Sequence, residues 1–376
     1  MKILYSCLSK SWGGMEMFTL TAVKQLLKRN INVELLCLAE SRLHIEANNL
    51  GLVKHPIKVA GYFHPYGTLK VSTLIRKEKF DIIHTQASKD LWLLVPALNL
   101  IKSRIPLFFT KQVGSFINKK DQLHKLIYNR VTYSFAISNI IKKNLIETTT
   151  LNPKNILIMP NGIDAAKFDP GIINRDKIRK EFNIKDNEIV IGMISRFSPG
   201  KGHEEFLFAA KELGKKYNNL KFLVVGEASR GENAYEEKIK NAAEKYGLRN
   251  IIFSGFRSDT PEVLAAIDIF VFPSHAEAFG IALVEAMAMG KPSVCSASDG
   301  VLDIAVENET SLLFEKKNGK DLTNKIDKLI NSQELRICLG NNARKRVINN
   351  FDLEILTNNV IDIYKSALEI ESKNQN

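Results

Sequence analysis

Short apolar segments alternate with longer amphipathic segments along almost the whole chain of 376 residues. In the longer segments hydrophobic side chains recur with a helical period, as in Glu16–Lys28, Glu204–Lys216, Tyr235–Tyr246 and Leu335–Val347. Apolar strands that alternate with helices are typical of βαβ units, in which helices cover both faces of a parallel sheet. The predicted strands are Ile3–Leu8, Val33–Leu38, Ile82–His84, Pro106–Thr110, Ser134–Ser138, Ile156–Pro160, Ile189–Ile194, Phe222–Gly226, Ile251–Gly255, Ile269–Pro273, Ser293–Cys295 and Leu312–Phe314.

The number of predicted strands favours two domains, because about a dozen strands exceed the usual size of one sheet. The hydrophobic period is lost around Asp164–Arg179, where Asp169-Pro170-Gly171 predicts a turn. We therefore predict an α/β protein with two Rossmann-like, doubly wound domains. The predicted divisions are an N-terminal domain at 1–170, a C-terminal domain at 171–352, and a final segment at 353–376, helical over Leu353–Leu368 and able to pack back on the N-terminal domain, with a disordered tail at Glu369–Asn376.

Composition excludes several classes of protein. With 45% hydrophobic and 25% charged residues, the chain is neither disordered nor collagen-like. No apolar run approaches the roughly 18–20 residues that cross a bilayer, and the N-terminus lacks the layout of a signal peptide. The cysteines are too widely scattered to predict a zinc site or a disulfide framework. We expect a cytoplasmic protein.

Positive charge is concentrated in the first half of the chain. Residues 1–170 contain 24 Lys and Arg against 11 Asp and Glu, a balance of +13, whereas residues 171–376 contain 29 against 30, a balance of −1. Such asymmetry predicts an anionic partner for the first half: nucleic acid, an anionic lipid surface or a phosphorylated substrate. An ordinary solvated, lysine-rich surface is the alternative.

A predicted helix N-terminus near Phe279-Gly280 is a candidate phosphate site. The preceding strand ends at Pro273, and strong helix formers follow from Ile281. The first backbone N–H groups of a helix have no partner within it, and the helix dipole favours anions there.

Two carboxylates, Glu277 and Glu285, lie on either side of that helix start, eight residues apart. Eight helical residues span about 12 Å, which is too far for the roughly 5–9.5 Å between the two carboxyl groups of a glycosidase. The spacing suits hydrogen bonds to different parts of one long ligand. The alternative is two carboxylates without a ligand, one of them at a helix N-terminus and the other solvated.

Two further loops carry candidate phosphate ligands. Arg196 and Lys201 follow a predicted strand, at the sheet edge where doubly wound folds bind ligands, and the two cations can neutralise a diphosphate; a plain Pro-Gly turn is the alternative. The first βα turn contains Gly13 and Gly14, which allow close approach of a phosphate. It lacks the G-x-G-x-x-G fingerprint and the chain lacks a P-loop motif, which disfavours a Rossmann dehydrogenase and excludes a P-loop NTPase.

Taken together and in this order, the motifs resemble those of the retaining GT-B glycosyltransferases of family 4, the group that includes glycogen synthases and bacterial mannosyl- and glucosyltransferases. The resemblance extends over nearly the whole chain. The elements that carry it are Gly13-Gly14-x-Glu16, Asn161-Gly162-Ile163-Asp164, Arg196 with Lys201-Gly202, and Glu277 with Glu285.

The resemblance implies two domains that face each other across a cleft, with the nucleotide sugar held mainly by the C-terminal domain. Arg196 and Lys201 would bind the diphosphate, Glu277 the donor sugar and Glu285 the ribose. The implied catalytic residues are Glu277, Arg196 and Lys201, and transfer would retain the anomeric configuration without a bound metal or cofactor. The implied donor-binding residues are Gly13, Gly14, Arg196, Lys201, Glu277, Phe279, Gly280, Ile281 and Glu285.

The chain departs from the family pattern at two positions in its N-terminal half and at one position in its C-terminal half. Gln112 occupies the last position of the family's T-x-H motif, Gln86 replaces the second histidine of H-x-H, and Asp303 replaces the glutamate of G-G-x-P-E. The candidates for contact with the acceptor are His84, Lys111 and Gln112, although a histidine at a strand end is more often structural.

These observations predict an enzyme that moves a sugar from a nucleoside diphosphate sugar to a glycan or lipid-linked acceptor, in the synthesis of cell-envelope polysaccharide or lipopolysaccharide. UDP is favoured over GDP because it is the commoner donor nucleotide in the family. The basic N-terminal half is expected to dock on the anionic inner face of the cytoplasmic membrane, and no nucleic-acid partner is expected. A nucleotide-sugar epimerase of the same architecture and a non-catalytic nucleotide-sugar-binding protein are the alternatives.

Overall fold

The computed structural model describes residues 1–229 and 231–373, which form two compact units. One unit consists of Met1–Asn161 together with the helix that begins at Leu353, and the other is Gly162–Asp352. The chain thus passes between the units at Asn161–Gly162, whereas the sequence predicts a boundary at 170.

All strands in the described residues belong to two parallel sheets, one in each unit. Their bounds are β1 Lys2–Cys7, β2 Asn32–Leu38, β3 Lys54–Ile57, β4 Ile82–Thr85, β5 Leu107–Lys111, β6 Tyr133–Ala136, β7 Ile156–Ile158, β8 Ile189–Ile194, β9 Leu220–Val225, β10 Ile251–Gly255, β11 Ile269–Phe272, β12 Ser293–Ser296 and β13 Ser311–Phe314.

Helices connect the strands and cover the sheets, and short 3₁₀ turns occur at Pro153–Asn155 and Ala165–Phe168. The helices are α1 Gly14–Leu27, α2 Arg42–Asn49, α3 Pro65–Glu78, α4 Leu91–Leu100, α5 Gln122–Tyr128, α6 Asn139–Thr148, α7 Asp176–Glu181, α8 His203–Lys216, α9 Asn233–Lys245, α10 Thr260–Ala266, α11 Ile281–Ala288, α12 Val301–Ile304, α13 Gly319–Ile330, α14 Gln333–Asn350 and α15 Leu353–Lys373. Among the described residues, every helix is too short or too polar to span a lipid bilayer.

The strand order reverses once in each sheet. The first sheet has the order β3-β2-β1-β4-β5-β6-β7 and the second β10-β9-β8-β11-β12-β13. The central strands are apolar and buried because helices pack on both of their faces. These two parallel sheets confirm the predicted α/β fold with two Rossmann-like domains. In such sheets a crevice opens at the carboxyl ends of the strands where the order reverses, here between β1 and β4 and between β8 and β11.

The C-terminal helix α15 is part of the first unit. It packs against α1, and Arg29 Nε donates to Asn358 Oδ1 at 2.8 Å. Tyr364 is fully buried in the same core as Ile3 and Phe108. The prediction of a disordered tail from Glu369 is wrong for residues 369–373, which continue the helix, and residues 374–376 lie outside the described residues.

The pattern of apolar segments misses one strand, β3. This strand pairs only with β2 at the edge of its sheet, and its sequence, Lys54-His55-Pro56-Ile57, is only partly buried. An edge strand needs no continuous apolar run and tolerates a proline.

Candidate functional site

In the second unit, the loops that follow β8 and β11 meet beside the crevice where the strand order reverses. His275 N donates to Gly200 O at 2.8 Å. Gly202 has φ +79°, and a Cβ there would collide with the carbonyl group of Pro273. A glycine is therefore required at position 202 both by the backbone conformation and by the contact between the loops.

This contact brings Lys201 and Glu277 together, although they lie 76 residues apart in the sequence. Lys201 Nζ donates to Glu277 Oε1, and both side chains remain partly exposed, at 21% and 16%. The pair is therefore open to solvent and its charged groups can also reach a ligand.

Arg196 lies on the same loop as Lys201 but points towards a different neighbour. Its Nη1 donates to Ser229 Oγ at 3.0 Å, and the side chain is exposed. Gly226, at φ +136°, allows the chain after β9 to pack closely against the chain after β8, because a Cβ there would overlap the carbonyl oxygen of Ser195. The structure thus places Arg196 at the same sheet edge as the Lys201–Glu277 pair, and within the described part of the chain no hydrogen bond or ion pair joins Arg196 to that pair.

The loop that carries Glu277 is held by the loop after β12, a feature that the sequence analysis missed. Ser298 Oγ donates to Ser274 O at 3.1 Å, Ser296 Oγ donates to the same oxygen, and Gly300 N donates to Glu277 O at 3.0 Å. A Cβ on Gly300 would lie 2.5 Å from Ala278 O. The cluster of serines followed by glycine is the only sequence signal, and it is also typical of an ordinary turn.

Helix α11 begins at this site with uncapped N–H groups. Its N-cap is Gly280, at φ +113°, and no described side chain caps the helix. A Cβ on Gly280 would lie 3.2 Å from the ring of Phe272, and Phe279 is buried with its ring edge-on to Phe351. Ile281 is exposed. The first turn therefore offers free backbone donors to an anion.

Glu285 lies in the second turn of α11, and its carboxylate has no hydrogen-bond or ion-pair partner among the described residues. Partial burial without a compensating partner raises its pKa to about 7. A half-buried carboxylate with free acceptor oxygens suits a ligand that brings hydroxyl groups.

In the first unit, the turn between β1 and α1 contains Gly13 and Gly14. Gly13 is the uncapped N-cap of α1 in an extended conformation, and a Cβ on Gly14 would meet nothing within 4 Å among the described residues. Glu16, two residues further along, is buried in the first turn. Packing within this unit does not require a glycine at position 14, so the space beside it can accept a ligand.

His84 is placed as a structural residue. Its side chain is 2% exposed. Nδ1 forms a hydrogen bond with Tyr364 Oη, and Nε2 forms one with Thr110 Oγ1 at 2.7 Å. Burial lowers the pKa of the imidazole to about 3. With both ring nitrogens occupied, His84 has no group left for an acceptor, which argues against the role predicted for it.

Gln112 belongs to a buried chain of amides. Its Nε2 donates to Gln86 Oε1 at 2.9 Å, Asn161 Nδ2 donates to Gln112 Oε1 at 2.9 Å, and Gln86 Nε2 donates to the hydroxyl group of Tyr5. The two glutamines that depart from the family pattern are therefore partners of each other.

Lys111, which precedes Gln112 in the sequence, is also buried, and its ammonium group has no partner among the described residues. Burial, together with the nearby charge of Lys119, lowers the pKa of Lys111 to about 8.

Comparison with known families agrees with this arrangement. The model of Glycosyltransferase Family 4 matches residues 12–167, and the model of glycosyl transferases group 1 matches residues 174–346. The chain belongs to the family 4-like GT-B glycosyltransferases. The resemblance stated from the motifs is confirmed, and the family models do not favour an epimerase.

This glycosyltransferase resembles enzymes named for transfer to lipid-linked sugars. It is 29% identical over 308 residues to the UDP-Gal:alpha-D-GlcNAc-diphosphoundecaprenol alpha-1,3-galactosyltransferase of Escherichia coli, covering 77% of this chain and 76% of that one. It is 30% identical to the N,N'-diacetylbacillosaminyl-diphospho-undecaprenol alpha-1,3-N-acetylgalactosaminyltransferase of Campylobacter jejuni, covering 66% and 64%. The solved structure of a glycosyltransferase from Rickettsia africae shares the fold, with a TM-score of 0.88 at 24% identity over 98% of each chain.

Proposed function

We propose that the protein transfers a sugar from a UDP-sugar to a lipid-linked glycan, with retention of configuration and without a metal ion. The observation that supports this most strongly lies in the second unit, where the Lys201–Glu277 pair, the uncapped start of α11 and the unpartnered Glu285 all belong to one sheet edge. An elongated ligand with a diphosphate between two hydroxyl-bearing groups matches these three features.

In this proposal the diphosphate binds to Lys201 and to the first N–H groups of α11, and Arg196 turns from Ser229 to join them. Glu277 orients the donor sugar through its hydroxyl groups, while Glu285 accepts hydrogen bonds from the ribose. The bond between the anomeric carbon and the β-phosphate oxygen breaks as the acceptor oxygen attacks the same face. The leaving phosphate takes the acceptor's proton, so that the products are a glycoside and the nucleoside diphosphate, and the fixed cations stabilise the departing charge.

The acceptor and the nucleotide are proposed from the relatives. Both of the relatives described above are named for transfer to a sugar on undecaprenyl diphosphate, and the Escherichia coli enzyme is named for UDP-galactose. Because this chain aligns with each of them at only 29–30% identity, we carry over the acceptor class and the nucleotide but not the individual sugars.

The first unit has a surface suited to a peripheral position on the membrane, which we include in the proposal. Phe116 is fully exposed in the loop after β5, and Leu126 of α5 is 68% exposed. Lys119, Lys120 and Lys125 lie among these apolar side chains in the sequence. Apolar groups that insert beside lysines suit an anionic lipid surface.

Transfer is tested with UDP-sugars, a short-chain lipid diphosphate sugar as acceptor, and a chelator throughout. We expect a product whose new anomeric proton has the configuration of the donor by NMR. Lys201→Ala should lower kcat/KM by about tenfold or more, since it removes a charged hydrogen bond of roughly 1.5–3 kcal/mol. The matched control is Lys215→Ala, an exposed lysine in the last turn of α8. An inverted product would refute retention, and activity that appears only with added metal would refute metal independence.

Membrane binding is tested by sedimentation with vesicles of anionic and of neutral lipid. We expect binding to anionic vesicles that weakens as salt rises, and weaker binding of the Phe116→Ser variant than of a Tyr246→Ser control in the second unit. Binding that is equal for the two lipids and independent of salt would refute this part of the proposal.

A further inference from the structure

The first unit contains a cavity of about 340 Å³ where its own strand order reverses, between β1 and β4. This volume lies within the range of roughly 300–1,000 Å³ typical of small-molecule sites. Part of the wall is apolar, formed by Leu38, Val59 and Leu93. Met15, the variable position of the Gly13-Gly14-x-Glu16 motif, also lines the cavity, whereas Gly13, Gly14 and Glu16 are not among its lining residues.

Asp90 lies in the wall of the cavity with one carboxylate oxygen fully used and the other unused. Oδ2 accepts hydrogen bonds from Ser6 Oγ at 2.9 Å, Thr85 Oγ1 at 2.9 Å and Leu8 N at 3.0 Å. Oδ1 is buried and has no partner among the described residues, and the residue is only 1% exposed. A buried acceptor without a donor is costly, so a ligand hydroxyl group that donates to Oδ1 would remove that cost.

The remaining charged groups of the cavity are basic. Lys10 and Lys89 line it, both are exposed, and neither forms an ion pair with a described residue. The ammonium group of Lys89 lies over the ring of Tyr62, 5.5 Å from its centroid. His64 also lines the cavity. Lys10 and Lys89 suit an anionic group of a ligand, and the free acceptor oxygen of Asp90 suits a hydroxyl group, so the cavity favours a ligand that carries both.

We infer that this cavity binds the sugar diphosphate head of the acceptor, with a sugar hydroxyl group on Asp90 and the diphosphate on Lys10 and Lys89. The apolar wall takes the less polar face of the sugar ring. The inference rests on the proposed function because it names the acceptor for that reaction. It also moves the expected acceptor contacts away from His84, whose two ring nitrogens are hydrogen-bonded within the core. The contacts are instead expected from residues of the loops that follow β1 and β4.

Binding is measured by calorimetry with three probes: a short-chain alkyl diphosphate ester of N-acetylglucosamine, inorganic diphosphate, and neutral methyl N-acetylglucosaminide. We expect the ester to bind more tightly than either fragment. In the Lys10→Ala/Lys89→Ala double variant its affinity should fall by about tenfold or more, while affinity for the neutral glycoside should stay the same. The control pair is Lys28→Ala/Lys102→Ala, two exposed lysines at helix C-terminal ends, which should bind the ester as the wild type does.

Asp90→Asn tests the hydroxyl contact without emptying the position. Ser6, Thr85 and the Leu8 N–H group all donate to Oδ2, so the amide oxygen takes that place and the NH₂ group takes the place of Oδ1. The variant therefore replaces an acceptor with a donor. We expect it to weaken the ester and the neutral glycoside several-fold and to leave inorganic diphosphate unaffected.

Titration of UDP into the same samples separates the two proposals. If UDP binds but the ester binds no better than inorganic diphosphate, or binds the lysine double variant as tightly as the wild type, the inference is wrong and the donor site stands. If the ester shows the expected pattern but UDP does not bind, the cavity assignment stands and the proposed donor site is wrong.

Discussion

Glu285 gives the site a pH dependence whose sign and size follow from the structure. Partial burial raises the pKa of the free carboxyl group to about 7. The ribose hydroxyl groups donate hydrogen bonds, which favour the ionised carboxylate. Binding of the nucleotide therefore lowers this pKa and releases a proton, so affinity should rise with pH.

The expected size is obtained from the ionised fraction of Glu285 in the free protein. With a pKa of about 7, that fraction is about one tenth at pH 6 and about nine tenths at pH 8. If the complex holds the carboxylate ionised at both pH values, affinity increases about tenfold over this range, or about 1.4 kcal/mol. A nucleotide sugar is the better ligand for this test than free UDP, because its diphosphate has no group that titrates between pH 6 and pH 8.

The measurement is calorimetric titration with a UDP-sugar at several pH values, for the wild type and for Glu285→Gln. Glutamine keeps an acceptor oxygen but does not titrate, so its affinity should stay nearly constant. The control is Glu244→Gln, an exposed position on α9, which should keep the tenfold rise. A rise of the same size in Glu285→Gln, or a flat profile in the wild type, would show that the nucleotide does not contact Glu285.

Three further predictions concern the loops and the buried polar groups. Gly300→Ala should weaken nucleotide-sugar binding, since its Cβ would lie 2.5 Å from Ala278 O and displace the loop of Glu277; the control Gly214→Ala in α8 should bind normally, and tight binding by Gly300→Ala would contradict this role of the loop. Gln112→Ala should lower the free energy of unfolding by about 1–3 kcal/mol, because it leaves buried groups of Gln86 and Asn161 without partners; urea denaturation measures this, and an unchanged midpoint would refute it. Without ligand, the raised pKa of Glu285 means that the folded protein loses stability as pH rises from about 4.5 through about 7. The melting temperature of Glu285→Gln should therefore exceed that of the wild type at pH 8 but not at pH 4. An equal difference at both pH values would contradict this.

Much of the fold could be predicted because the pattern of buried strands is local. Each of the twelve predicted strands overlaps a strand of the structure, since a parallel strand covered on both faces must be apolar along its length. The edge strand β3 has no such requirement, which is why Lys54–Ile57 escaped notice. The tail was misjudged for a similar reason, because a terminal helix with one solvated face can continue through a polar segment.

The candidate site could be predicted from the sequence where the backbone conformation requires a particular residue type. Gly202 and Gly280 are needed for positive φ angles next to packed neighbours, and such glycines stand out beside a predicted strand or helix. Side-chain hydrogen bonds between residues far apart in the chain leave no signal in the sequence. The bond from Lys201 to Glu277 depends on which strands are neighbours in the sheet, and the bond between Gln86 and Gln112 depends on the register of β4 and β5.

The role of Asp90 could not be predicted from the sequence either. In the sequence it is an ordinary acidic residue before an apolar helix, a common position for capping. Only the fold shows that Ser6, Leu8 and Thr85 all donate to one of its oxygens, that the other oxygen is buried without a partner among the described residues, and that Asp90 lines a cavity.

The most direct test of the donor site is calorimetric titration of UDP and GDP into the wild type and Lys201→Ala in the presence of a chelator. We expect UDP to bind the wild type more tightly than GDP, and Lys201→Ala to lose about tenfold or more in affinity for UDP through the loss of a charged hydrogen bond. Absence of binding to the wild type, or equal affinity in the two proteins, would show that the loops after β8 and β11 do not form a nucleoside diphosphate site.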